Sequence, residues 1–134
     1  MKSKPGASRI IFIVCLLSLL AGRAPAMDRW VALAMLESGG RDDVIGQAGE
    51  ISRYQIRREL WAGGSRLDAQ VALANAQRIM NARVAAFQQA HGRAPTDFEF
   101  YVLWNAPAQI NHPHHVVVQR ARRFINLMTD NDTT

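Results

Sequence analysis

Residues 30–40 read Trp-Val-Ala-Leu-Ala-Met-Leu-Glu-Ser-Gly-Gly, a wholly apolar run that ends in one carboxylate and a pair of glycines. The apolar run predicts a helix, and the glycine pair predicts where that helix ends. Residues three, four and seven apart share one face of a helix, so Glu37 lies on the same stripe as Leu33 and Trp30. We expect this stripe to be the buried side.

The position of Glu37 suggests a chemical role for its carboxyl group. Burial disfavours the ionised form, and so does the negative end of the helix dipole at the C-terminus. A carboxyl group that keeps its proton near neutral pH can act as a general acid. The alternative is a helix-terminal glutamate whose side chain reaches water and has no chemical function.

The first 26 residues have the three parts of an export signal. Basic residues up to Arg9 precede an apolar stretch over 10–20, and the small-residue segment Ala24-Pro25-Ala26 follows. This order predicts a cleavable signal peptide, 1–26. The apolar stretch is shorter than the ~20 residues that a membrane-spanning helix needs. We therefore expect a periplasmic or secreted mature chain, 27–134, with no stable membrane span.

The composition of this mature chain differs from that of the full 134-residue sequence. Removing 1–26 takes away four of the sixteen basic residues, so the formal net charge falls from +5 to +1. The basic character of the full sequence is therefore no argument for a nucleic-acid partner. The single cysteine, Cys15, lies in the predicted signal peptide. Disulfides and thiol catalysis are thus excluded for 27–134.

Helical periodicity dominates 27–134, and no stretch shows the alternation typical of a strand. The length fits one domain, so the predicted fold class is mostly α in a single domain. The predicted segments are a first helix to about Glu37, a long loop or short hairpin over 38–55, a short helix over 57–61, a long helix from Ser65 or Asp68 to about His91, a helix opened by the capping box of Thr96 and Glu99, and a last helix from about Val116 to Met128. Polar loops as long as 38–55 are usually functional.

Several short motifs occur along the chain in a recognisable order. They are Glu37-Ser38-Gly39-Gly40, the glycine-containing loop 46–50, Tyr54-Gln55-Ile56 and Trp104-Asn105-Ala106. Together they resemble the signature of the lysozyme-like soluble lytic transglycosylases, the family of the transglycosylase SLT domain. The resemblance covers nearly all of 27–134 and implies a lysozyme-like single domain, with the loop or hairpin directly after the catalytic helix.

The resemblance implies an activity on peptidoglycan glycan strands. The bond cleaved would be the β-1,4 linkage between N-acetylmuramic acid (MurNAc) and N-acetylglucosamine (GlcNAc). Glu37 matches the family's catalytic residue, which acts first as an acid on the glycosidic oxygen and then as a base on the muramoyl C6 hydroxyl. The product would be a 1,6-anhydro sugar, formed without water and without any cofactor.

Other residues match substrate-binding positions of the family, and each has a structural alternative. Ser38 could orient the acid or only end the helix. Gln55 could line the sugar cleft or only anchor its loop, and Asn105 could face the cleft floor or only end a later helix. Tyr54 and Trp104 could stack on sugar rings or belong to the core.

Glu50 is a second carboxylate that could face Glu37. If it does, a hydrolysing lysozyme becomes the alternative, because two carboxylates can direct water onto the sugar. Without a role in catalysis, Glu50 would be a solvated loop residue or would form an ion pair with Arg41 or Arg53. A further alternative is an inactive wall-binding or assembly module. It is favoured by two departures from the family pattern, Ser52 at a usual glycine position and Pro107 after the asparagine motif.

Three histidines, His112, His114 and His115, surround Pro113. Such spacing can chelate zinc, but no carboxylate or cysteine lies beside it at ligand spacing. We predict no metal site and expect a loop over the cleft. The sequence leaves open whether the enzyme remodels the wall broadly or opens gaps for a cell-envelope secretion or pilus assembly; the small size suits the second role.

Overall fold

The computed structural model describes residues 27–129, and the predicted signal peptide therefore lies outside the described residues. Within this range four α-helices make up most of the chain, which confirms the mostly α prediction. They are α1 (Arg29–Ser38), α2 (Ala69–His91), α3 (Asp97–Asn105) and α4 (His115–Thr129). Two short 3₁₀ turns, Arg58–Leu60 and Pro107–Gln109, connect them. The short helix predicted over 57–61 is thus a single 3₁₀ turn.

The helices begin and end where local chemistry satisfies their free backbone groups. Asp28 caps α1, and Gly39 ends it in the left-handed conformation, with φ of 68°. The carboxylate of Asp68 caps α2, which fixes the start of that helix at Ala69. Thr96 and Glu99 form the predicted capping box at the start of α3. Each device satisfies N–H or carbonyl groups that would otherwise be unpaired.

Helix α3 lies at the centre of the fold. Five of the residues of α3, 100–104, are buried in succession, which explains why this part of the helix has no polar face. It packs against α4 and α2, while α1 packs against α4. The aromatic ring of Phe100 contacts those of Trp30 and Phe124, so residues from α1, α3 and α4 share one core. The C-terminal end of α3 lies against the loop that follows α1, where the Trp104 ring contacts that of Tyr54.

The loop after α1 is a tight hairpin-like turn with no extended strands. An isolated antiparallel bridge joins Ile51 to Ile56, and both backbone hydrogen bonds are 2.9 Å. The guanidinium of Arg53 donates two hydrogen bonds of 2.6 and 2.7 Å to the carboxylate of Asp42. This bidentate pair fastens the turn to the first half of the loop. Among residues 27–129, no helix is sufficiently long and apolar to cross a membrane.

Candidate functional site

A cleft of about 960 Å³ runs beside the end of α1 and is lined by the post-α1 loop, α2, the end of α3 and α4. Its volume is at the upper end of the usual range for ligand clefts. Five of the seven predicted site residues line it: Glu37, Glu50, Gln55, Trp104 and Asn105. The fold thus brings together residues that lie almost 70 positions apart in the sequence.

Glu37 is the most tightly held of these residues. Its side chain is only 9% exposed. The phenol of Tyr101 donates a hydrogen bond of 2.8 Å to Glu37 Oε1, and Arg120 Nη2 donates another of 3.0 Å to the same oxygen. Arg120 Nε donates to the phenol oxygen of Tyr101 at 2.7 Å, which closes a triangle of three side chains. Helices α1, α3 and α4 each contribute one corner.

The second carboxyl oxygen of Glu37 differs from the first. No described residue donates a hydrogen bond to Oε2, yet among residues 27–129 no fully buried side-chain oxygen or nitrogen lacks a partner. Oε2 therefore keeps some accessible surface, and Glu37 lines the cleft. Oε1 is held by two protein donors, while Oε2 can form a hydrogen bond to a bound molecule.

The protonation of the two partners suits this arrangement. Burial, together with the charge of Glu37, raises the pKa of Tyr101 above its ordinary value, so the phenol keeps the proton that it donates. Partial burial opposes the charge of Arg120, but its hydrogen bond to Tyr101 and the charge of Glu37 raise the pKa of Arg120 overall. Both partners therefore remain donors across the physiological range of pH.

Gln55 and Glu50 line the cleft from the post-α1 loop. Gln55 Nε2 donates to the carbonyls of Ser52 and Val44, at 3.0 and 3.3 Å. Glu50 Oε2 accepts a hydrogen bond of 3.1 Å from the backbone of Ala48. The arginines considered as partners of Glu50 pair elsewhere, Arg41 with Asp43 and Arg53 with Asp42.

Gly46 allows these two side chains to lie where they do. A Cβ atom at this position would come within 2.3 Å of Glu50 Oε2 and 2.5 Å of Gln55 Oε1. Both distances are far below normal contact. Any side chain at position 46 would therefore push Glu50 and Gln55 out of their present positions.

Two predicted substrate contacts have structural roles instead. The hydroxyl of Ser38 lies 2.8 Å from the carbonyl of Arg53 and accepts a hydrogen bond from the backbone of Arg41, so it ties the loop to α1. It is not among the residues that line the cleft. Tyr54 is 4% exposed and contacts Trp30 and Trp104 edge-on, as a core residue does. These contacts match the structural alternatives for both residues, a role at the helix end for Ser38 and a core position for Tyr54.

Trp104 and Asn105 both line the cleft but differ in exposure. Trp104 lines it with little surface, because only 8% of the residue is exposed. Asn105 is exposed and is the last residue of α3. Arg83 Nη1 donates to the carbonyls of Leu103 and Trp104, at 2.8 and 2.7 Å. This contact satisfies free carbonyls at the helix end and fixes the backbone beside Asn105.

The two departures from the family pattern are accommodated differently. Ser52 is fully buried and has φ of 67°, a conformation that glycine adopts more easily than serine. The backbone here therefore has the shape expected of a glycine position, although the residue is serine. Pro107 starts a 3₁₀ turn and lines the cleft, where its fixed φ suits the first position of the turn.

The histidine segment lies away from the cleft. His112, His114 and His115 are exposed, and none is among the cleft-lining residues, in contrast to the expected loop over the cleft. Within residues 27–129 no group of three histidine, cysteine, aspartate or glutamate side chains could hold a metal ion.

Tyr101 and Arg120 were not foreseen as site residues. A signal for Arg120 was present, since it stands three residues after Val117 and four before Phe124, both buried on α4. An arginine on a buried stripe requires a partner, and here the partners are Glu37 and Tyr101. Tyr101 had no comparable signal, because it is one of several aromatic residues in an apolar helix.

The site is thus a well-held carboxylate beside a cleft whose lining also includes amide and other carboxylate side chains. Such an arrangement can support acid–base chemistry. No protein-family model matches this chain, and comparisons with curated proteins and with solved structures found no match.

Proposed function

We propose that this protein is an exported peptidoglycan lytic transglycosylase with a lysozyme-like fold. The observation that carries the proposal is the unequal bonding of the two Glu37 oxygens beside the cleft: Oε1 is held by Tyr101 and Arg120, and Oε2 accepts no hydrogen bond from a described residue. The motifs shared with the lytic transglycosylases support the same conclusion, because most of their residues line that cleft.

In the first step, the protonated Glu37 gives its proton from Oε2 to the glycosidic oxygen. The bond between that oxygen and C1 of MurNAc breaks, and GlcNAc leaves with a new hydroxyl group. Tyr101 and Arg120 donate to Oε1 and stabilise the carboxylate that forms. Their fixed positions also keep the reacting oxygen from turning away from the cleft.

In the second step, the C6 hydroxyl of the same MurNAc attacks C1. The Glu37 carboxylate takes the proton of that hydroxyl, and the new bond closes the 1,6-anhydro ring. The acid is thereby regenerated, so one carboxylate serves both steps and no water is consumed. Gln55 and Asn105 would bind the amide and hydroxyl groups of the sugars, and their position in the cleft lining supports this role.

Hydrolysis is the second candidate, and the position of Glu50 favours it. Glu50 lines the same cleft as Glu37, and only its Oε2 accepts a hydrogen bond from a described residue. A second carboxylate could direct a water molecule to C1, as in hydrolysing lysozymes. The products distinguish the two reactions, since hydrolysis leaves ordinary reducing ends and transglycosylation leaves anhydro ends.

The test is digestion of purified peptidoglycan followed by mass analysis of the released fragments. We expect anhydro ends from the wild type and no release by Glu37→Gln. The matched control is Asp43→Asn, which also converts a carboxylate to an amide, on an exposed residue that does not line the cleft. Equal digestion by wild type and Glu37→Gln would disprove the mechanism, and no digestion by a folded wild type would favour a binding or assembly module.

A further inference from the structure

Two cationic side chains in the cleft have no role in the proposed reaction. Arg57 follows the Ile51–Ile56 bridge, and Arg83 stands in the middle of α2; both line the cleft that contains Glu37. Neither forms an ion pair with a described carboxylate, whereas Arg120, the third arginine of the cleft, is paired with Glu37. Glu50 and Glu59 also line the cleft, but neither lies within ion-pair distance of Arg57 or Arg83.

Arg83 is held in place before any ligand arrives. Its Nη1 is fixed by the carbonyls of Leu103 and Trp104, and its guanidinium lies 6.0 Å from the centre of the Trp104 ring. Nε and Nη2 donate to no described residue, and no unpartnered side-chain nitrogen within 27–129 is fully buried, so both keep some accessible surface. A guanidinium with one fixed nitrogen and two free ones has the geometry that binds a carboxylate with two parallel hydrogen bonds.

Arg57 adds a second positive charge close to this fork. Burial lowers the pKa of Arg83 below its ordinary value, and the nearby charge of Arg57 lowers it further, although the group remains cationic at neutral pH. Two like charges in one partly enclosed cleft repel each other unless an anion joins them. An anionic group of the substrate would remove that repulsion.

We propose that Arg57 and Arg83 form a subsite for a carboxylate of the peptide attached to MurNAc, so that the protein prefers peptide-bearing glycan strands. The inference rests on the proposed wall substrate. Where a peptide is attached, the lactyl carboxyl group of MurNAc is used in the amide bond, so the charged carboxylates of the strand belong to the peptides. A cationic subsite in the same cleft as Glu37 would therefore bind the peptide rather than the sugar.

The test compares intact glycan strands with two substrates that lack the peptide carboxylates. One is strands stripped of peptide by an amidase, with the lactyl carboxylates that this exposes then converted to amides; the other is intact strands whose peptide carboxylates have been converted to amides. We expect wild-type kcat/KM to be about tenfold higher on intact strands than on the other two, the effect of one charge-assisted contact. Arg57→Gln should reduce this preference at least threefold without changing digestion of stripped strands. Arg83→Lys, which keeps the charge but loses the planar fork, should reduce it as well.

The control is Arg122→Gln, which removes one exposed charge of α4 outside the cleft and should keep the full preference. Equal digestion of intact and stripped strands by the wild type would overturn the subsite and leave the transglycosylase proposal intact.

If the wild type cleaves neither substrate, binding of the same strands to the protein is measured by tryptophan fluorescence instead. Tighter binding of intact strands that is lost in Arg57→Gln supports the subsite, and equal binding refutes it. Equal loss on intact and stripped strands in Arg57→Gln would also refute it.

Discussion

Arg120 on α4 donates a 3.0 Å hydrogen bond to Oε1 of Glu37, 83 positions earlier in the sequence at the end of α1. The same guanidinium holds the phenol of Tyr101 through Nε. The apolar run before Glu37 suggests a purely apolar pocket, but the pocket also contains the polar side chains of Tyr101 and Arg120. The environment of Glu37 combines low exposure with two fixed donors, and these act on one oxygen only.

The first prediction concerns Arg120→Gln. This change removes the charge and the paired geometry that hold Glu37 Oε1, while Tyr101 remains. A small loss of positioning is costly in catalysis, so we expect glycan cleavage to slow about a hundredfold. The free energy of unfolding should fall by about 1–3 kcal/mol, because a poorly exposed carboxylate loses a charged partner. Cleavage rate and thermal unfolding measure the two effects separately.

Arg120→Lys and Tyr101→Phe separate the contributions within the triangle. Lysine keeps the charge but cannot offer the same two nitrogens in one plane, so it should restore only part of the rate. Tyr101→Phe removes one donor to Oε1 and should slow cleavage less than Arg120→Gln does. Full activity in Arg120→Gln would show that the ion pair has no part in the chemistry. Arg122→Gln, on the exposed face of α4, serves as the control.

The parts of this structure that could be predicted from sequence are those fixed by local chemistry. Asp68, Thr96 and Glu99 mark helix starts because each caps backbone groups two or three residues away. The Glu37–Arg120 pair could not be predicted in that way, because it depends on how α1 packs on α4. For the same reason the sequence left two roles open for Ser38 and Tyr54, since their positions in the motif do not reveal which way their side chains point.

The second prediction concerns the left-handed backbone of Ser52. With φ of 67°, a serine at this position is strained, and glycine would not be. The lost hydroxyl makes only a long contact of 3.4 Å with the backbone of Tyr54. We expect Ser52→Gly to raise the free energy of unfolding by about 1 kcal/mol, as measured by denaturant unfolding.

Ser52→Val provides the opposite case. A β-branched side chain in a left-handed conformation, at a fully buried position, should lower the free energy of unfolding by at least about 2 kcal/mol. If Ser52→Gly and Ser52→Val destabilise the protein equally, the hydroxyl and not the backbone explains the residue. Activity should follow the fraction of folded protein in both variants, because Ser52 itself does not line the cleft.

The third prediction uses Gly46 to test the contribution of the Glu50 and Gln55 side chains to cleavage. In Gly46→Ala the new methyl group would overlap the ends of the Glu50 and Gln55 side chains, which can move aside. Movable side-chain ends make the change tolerable for folding, so we expect the free energy of unfolding to fall by less than about 1 kcal/mol. Glycan cleavage should nevertheless drop about tenfold or more, because both polar groups leave their positions.

A double-variant comparison shows which of the two side chains matters. If the effect of Gly46→Ala acts through Gln55, it should largely disappear when Gln55 is already alanine, and Glu50→Ala gives the corresponding test for Glu50. Unchanged cleavage in Gly46→Ala would mean that neither side chain contributes to the reaction. In that case hydrolysis assisted by Glu50 would be excluded as well.

The last prediction concerns the acid stability of the α3 capping box. Hydrogen bonds from Arg93, and then from the backbone and side chain of Thr96, lower the pKa of Glu99 to about 2 from an ordinary value of about 4.5. A lowered pKa means that the folded state favours the ionised form. The resulting stability is present above about pH 4.5 and is lost as the pH falls toward 2. Because Arg93 is half exposed, we expect the loss to be about 1 kcal/mol.

Glu99→Gln should therefore lower the free energy of unfolding near neutral pH and make almost no difference near pH 2, where Glu99 is half protonated or more. Urea unfolding at a series of pH values measures this difference between variant and wild type. Glu59→Gln is the matched control, since Glu59 is exposed and accepts no hydrogen bond from a described residue. A constant difference between Glu99→Gln and wild type across this range would show that the charge of Glu99 does not stabilise the start of α3. The central helix would then depend on Thr96 and on its buried aromatic residues alone.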